Sequence, residues 1–158
     1  MSFRLSKGFR VALPGAGLAA VGFFLPLTTL SGGDWSTMLS GWEFASGLRV
    51  LGETVVPGRS PLFLVLFANL GVFTLAGFAW QRGHATRLWD GAALIGVALV
   101  ALVALLASGG DVSTPGLYGP ETLYPIETLP GFWSILLGDV VVIVGGVMNL
   151  RRSGPTSR

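Results

Sequence analysis

Residues 11–30, 61–80 and 91–108 contain no charged side chain, and residues 131–150 contain only one, Asp139. Runs of this length, at a rise of about 1.5 Å per residue, match the roughly 30 Å hydrocarbon core of a bilayer. Four of them, alternating with loops, take up half the chain. The fold class this predicts is an all-α membrane protein: a four-transmembrane-helix bundle forming a single membrane domain over residues 1–158.

Composition agrees. Only 11% of the 158 residues are charged and 51% are hydrophobic, where a soluble domain carries about a quarter charged residues. Residues 1–10, with Arg4, Lys7 and Arg10, form a basic head before the first run. A cleaved signal peptide also has a basic head. This run exceeds the usual apolar region of about 7 to 15 residues and lacks a small-residue cleavage site at its end, which favours a span. The absence of cysteine removes disulfides, thiolate metal sites and dithiol chemistry.

Charge placement sets the expected orientation. Arg4, Lys7, Arg10, Arg82, Arg87, Arg151, Arg152 and Arg158 fall in the N-terminal head, the middle turn and the C-terminal tail, against Arg49 and Arg59 in the other two loops. By the positive-inside rule both termini are cytoplasmic, in a multi-pass cell-membrane protein with external loops at 31–60 and 109–130. Trp35, Trp42, Trp80, Trp89 and Trp133 all lie near span ends or in an external loop, as an aromatic belt requires.

One heptapeptide recurs. Ser31-Gly32-Gly33-Asp34-Trp35-Ser36-Thr37 and Ser108-Gly109-Gly110-Asp111-Val112-Ser113-Thr114 differ at a single position. The match predicts two similar helical hairpins, one before about Leu88 and one after, repeated in parallel orientation. A phosphate loop needs a preceding strand and usually a lysine, so the favoured account of the two stretches is a glycine helix C-cap followed by an Asx turn.

Pro26 is expected to bend or end the first helix near Phe24-Leu25. Gly15, Ala19 and Gly22 give that helix a small-residue face, as Ala98, Ala101 and Ala104 do for the third. In the first external loop Ser40-Gly41-Trp42-Glu43 fits a capping box, and Phe44, Leu48, Leu51 and Val55 recur at helical spacing. An amphipathic surface helix is expected there. Residues 109–130, rich in proline, read as irregular chain.

Little chemistry is legible. His84 stands on the middle turn with no second ligand beside it, and Arg82 and Arg87 suit anionic lipid headgroups. No cofactor, metal or nucleic acid is expected. An external enzyme would need two of Asp34, Glu43 and Asp111 to converge in a concave site. With Trp35 and Trp42 these residues make up an external loop motif. Inside the membrane, Asp139 and Asn69 each lie eight positions into a returning span, at a shared depth of about 12 Å. An intramembrane polar pair follows, hydrogen-bonded directly or through one water, either gluing helices or serving a relay.

Phe23-Phe24-Leu25-Pro26-Leu27 followed by Ser40-Gly41-Trp42-Glu43-Phe44-Ala45 resembles a pattern in uncharacterised small four-span bacterial membrane proteins. In these a Phe-Leu-Pro-Trp-type span exit precedes an external Ser-Gly element; Leu27 stands in the tryptophan's place. The resemblance covers roughly the first third of the chain and implies four spans without an activity. The expected role is a non-catalytic accessory or scaffold subunit among other membrane protein subunits in the lipid bilayer. The alternative is a small transporter or channel component using Asp139.

Overall fold

In a computed structural model, residues 5–32, 35–50, 53–56, 58–82, 87–108, 112–114, 122–124 and 126–151 are described; for 30–32, 35, 48–50, 53–56, 87, 112–114, 122–124 and 126 the backbone alone is described. Helix α1 runs Lys7–Phe24, with Ser6 as its N-cap accepting from the Phe9 N–H. The helix ends at Phe24, as expected, because Leu25, the residue before Pro26, is already extended. The apolar run therefore outlasts the helix, and Pro26–Gly32 becomes strand β1.

Three loop expectations need correction. The first copy of the heptapeptide does not cap a helix: Ser31 and Gly32 end β1, and Trp35–Ser40 forms β2, paired antiparallel with Gly32 opposite Trp35. The second copy does begin at a helix end, since Ser108 N–H bonds back to Ala104 and Leu105. Asp34, Asp111 and the proposed Asx turns lie outside the described residues. The surface helix is also shorter than expected. Helix α2 spans Gly41–Ser46 and stops at Gly47, whose φ of 84° is a left-handed conformation that favours glycine. Leu48–Val50 and Glu53–Val56 then pair as strands β3 and β4 where helical spacing had suggested a continued helix.

A short 3-10 turn, Ser60–Leu62, opens α3 at Phe63–Arg82, and α4 follows at Arg87–Ala107. The second loop is not irregular throughout. It contains β5 (Val112–Thr114), β6 (Thr122–Tyr124) and β7 (Ile126–Thr128) before α5 at Pro130–Arg151. Strand β7 pairs with β1, giving a sheet ordered β2-β1-β7, with Thr28 opposite Thr128. The protein is thus mainly helical with a β layer at one end, not all-α. Among the described residues three helices, Ser60–Arg82, Leu88–Ala107 and Pro130–Arg151, are long and apolar enough to cross a membrane. Helix α1, which carries Lys7 and Arg10 in its first turn, is shorter at 18 residues.

Helices α1 and α4 pack along α5, and α3 packs against α1 and α4. Gly8, Gly15 and Gly22 recur every seven residues on α1, and Gly131, Gly138 and Gly145 do so on α5. The two rows face each other in antiparallel order. A Cβ on Gly15 would lie 2.6 Å from the Gly138 carbonyl oxygen, one on Gly138 2.5 Å from that of Gly15, and one on Gly22 2.8 Å from Ser134 Cβ. A repeat of seven keeps one face of each helix against its partner along a left-handed supercoil, and the missing Cβ atoms let the backbones touch. Gly146, one position round from Gly145, does the same towards α4: its Cβ would meet the Gly91 carbonyl at 2.9 Å.

Candidate functional site

The helix contacts place Asp139 in the bundle's interior. On α5 it lies between Ile135 and Val142, and Asn69 on α3 lies between Val65 and Val72. Ile135 and Val65 belong to one buried cluster, with Phe23, Leu39, Leu62 and Leu105 under the β layer. Val142 and Val72 belong to a second, with Phe9, Ala16, Leu94 and Ala98 towards the other end. The polar pair therefore occupies the seam between two apolar cores.

Asn69 Nδ2 donates to Asp139 Oδ1 at 3.0 Å and also to the Val65 carbonyl, one turn back, at 2.9 Å. The carboxyl is 0% exposed and the amide 1%. Asp139 Oδ2 has no hydrogen-bond partner among the described residues. A buried polar atom left unpaired costs on the order of 1 to 3 kcal/mol, so the bond to Asn69 offsets only part of the cost of burying the group.

A second polar contact lies where α1 begins and α5 ends. Ser6 Oγ donates to Asn149 Oδ1 at 2.8 Å, beside Gly8. At the β-layer end Arg59 carries more structure than its loop position suggested. Its guanidinium lies 5.6 Å from the Phe44 ring centroid and donates to the Ser108 carbonyl at 2.9 Å, tying the first loop to the end of α4. The signal for the glycine rows was present as two sets of sevenfold spacing, but it became visible only once antiparallel pairing was known. For Asn149 and Arg59 nothing in the local sequence gave a signal.

Of the expected loop motif, Trp42 is half-exposed, stacked on Phe24 at 6.4 Å and edge-on to Phe63 at 5.3 Å. Glu43 is taken up by capping: Ser40 N–H and Oγ–H both donate to Oε2, at 2.9 and 2.8 Å, while Glu43 N–H bonds to Ser40 Oγ. The Ser40 backbone N–H, then its hydroxyl, hold this carboxyl below its ordinary value of 4.5. Trp35 opens β2, and its side chain, like Asp34, Asp111 and His84, is outside the described residues. No group of three His, Cys, Asp or Glu side chains suited to a metal occurs among the described residues.

No family model matches the chain, and neither does any curated protein or solved structure. The arrangement can do one thing plainly: a carboxyl and an amide, closed off from solvent, bridge α3 to α5 across the bundle interior, where α3 packs on α1 and α4 and not face to face on α5.

Proposed function

We propose that the chain crosses a lipid bilayer four times, as α1, α3, α4 and α5, with both termini cytoplasmic, and acts as a non-catalytic subunit of a larger membrane assembly. The observation that carries the role is the closed Asn69–Asp139 contact. Among the described residues Asp139 is the one buried ionisable side chain, and its Oδ1 accepts from an amide on another helix. The membrane placement has separate support. Large apolar side chains face outward on every long helix, including Leu18 and Val21 on α1, Phe67 on α3, Val103 on α4 and Val144 on α5. Exposed Trp80 and Trp89 mark one end, and exposed Trp42 and Trp133 the other. Phe63 and Trp80 are 17 residues apart on α3, a rise of about 26 Å, close to a hydrocarbon core. Since α1 lies antiparallel to α5 over its whole length, the two helices share one depth range.

Purification from native membranes in mild detergent tests the role. Co-isolation of other membrane proteins in fixed ratio is expected; a lone monomer with no partner would refute it. The unpartnered Asp139 Oδ2 favours a second reading, a small transporter or channel component that loads a proton there. Under that reading, Asp139→Cys reacts with a water-soluble maleimide in intact membranes. Under the structural reading it stays unmodified.

A further inference from the structure

Helices α3 and α4 meet less closely than α1 and α5. Between them runs an open groove of about 720 Å³, lined by Phe67, Gly71, Thr74 and Phe78 on α3 and by Gly96 and Val100 on α4, among others. Its floor is set by Gly71 and Gly96, where an added Cβ would have nothing within 4 Å. The lining makes no polar demand. Thr74, its hydroxyl-bearing residue, bonds back to the Leu70 carbonyl at 3.4 Å.

The groove has a charged end. Phe78 is four residues, about 6 Å of rise, from exposed Arg82 at the close of α3. Because α1 begins where α5 ends, Lys7, Arg10 and Arg151 share that end with Arg82 and with Arg87 at the start of α4. Asp90 is the acid among them and sits near Arg82, so the end as a whole is cationic. Apolar concavity closed at one end by positive charge matches one chemistry: a hydrocarbon tail joined to an anionic head.

We propose that the α3–α4 groove holds an acyl chain of an anionic phospholipid whose phosphate meets Arg82. The proposal rests on α3 and α4 lying in the bilayer but is independent of the subunit role. One basic residue at a membrane surface contributes about a fivefold preference for an anionic lipid.

The test uses the full chain, delipidated in a neutral detergent, with phosphatidylglycerol or phosphatidylcholine of identical acyl chains added and retention read by native mass spectrometry. Wild type is expected to retain phosphatidylglycerol about fivefold better. Arg82→Gln should bring the two lipids close to parity without changing phosphatidylcholine retention. Gly96→Leu or Gly71→Leu, each filling the groove from an outward position, should lower retention of both lipids. Gly77→Leu is the control, since Gly77 is equally open but outside the groove. Equal retention of the two lipids by wild type, an unchanged preference in Arg82→Gln, or full retention in both leucine variants overturns the proposal. So does loss of a co-purifying membrane protein, in place of lipid, from the leucine variants, which would assign the groove to a partner helix. A chain soluble without detergent would instead overturn the membrane reading itself.

Discussion

At the scale of single residues, the Asn69–Asp139 contact and the Ser40–Glu43 cap respond to opposite kinds of change. Asp139→Asn keeps an acceptor oxygen for Asn69 and is isosteric. Interhelical hydrogen bonds in membranes average about 0.6 kcal/mol, so the variant should lie within about 1 kcal/mol of wild type in detergent unfolding. Asp139→Leu leaves Asn69 only its Val65 bond and should cost about 1 to 3 kcal/mol. If Asp139→Leu were the more stable variant, the pair would not be joining the helices. Glu43 lies outside the helices proposed to span. Its folded-state pKa is depressed, so its contribution is fully present above the ordinary value of 4.5 and is lost as pH falls through the lower folded value. Glu43→Gln keeps the reciprocal cap and lacks the titration. Thermal melts from pH 6 downward should show part of the wild-type acid loss missing in Glu43→Gln. The capping box was legible because all its information lies within four residues. The Asp139 contact was legible from depth alone, since the apolar spans offered each group no other polar side chain at that level.

Among elements, glycines of identical chemistry have different surroundings. Gly15 faces the Gly138 backbone, which cannot move aside, whereas Gly71 faces open space. Gly15→Ala should therefore destabilise by overpacking, on the order of 1 to 3 kcal/mol, despite alanine's better helix propensity. Gly71→Ala should stabilise by up to about 1 kcal/mol. Denaturation of the two variants side by side checks this, and equal effects of the same sign would refute the glycine seam. The long helices were readable because each is specified by its own apolar run, interrupted in α5 by Asp139 alone, and the end of α1 because Pro26 acts locally. The strands were not. Strand β1 draws its partners from β2 and from β7, which lies about a hundred residues away, so a short Thr28-Thr29-Leu30 stretch carries no sign of its pairing until the helices bring β7 alongside. The extended surface helix failed for a related reason: Phe44 and Leu48 keep helical spacing, but Gly47 between them turns the backbone to positive φ.

For the whole molecule, the strongest joints connect the first hairpin to the second. The glycine rows join α1 to α5, the sheet joins β1 to β7, Arg59 reaches Ser108, and Asn69 reaches Asp139. The recurring heptapeptide suggested two equivalent hairpins, yet its copies sit in different settings, one at a strand end and one at a helix end. What holds the halves together is correspondingly unlike in its two places: α1 meets α5 backbone to backbone, while α3 and α4 leave a groove between them. A cut within residues 83–86, between α3 and α4, leaves every one of these joints intact. Residues 1–84 and 85–158, expressed as separate chains in one membrane, are therefore expected to associate and co-purify through a tag on either. Gly138→Leu in the second chain should abolish that association, because the leucine side chain would have to occupy the space of the Gly15 and Ala19 backbone. Gly96→Leu, which faces open space, should not. If the two chains purified separately, or if Gly138→Leu left them bound, the α1–α5 seam would not be the contact on which the assembly of the molecule depends.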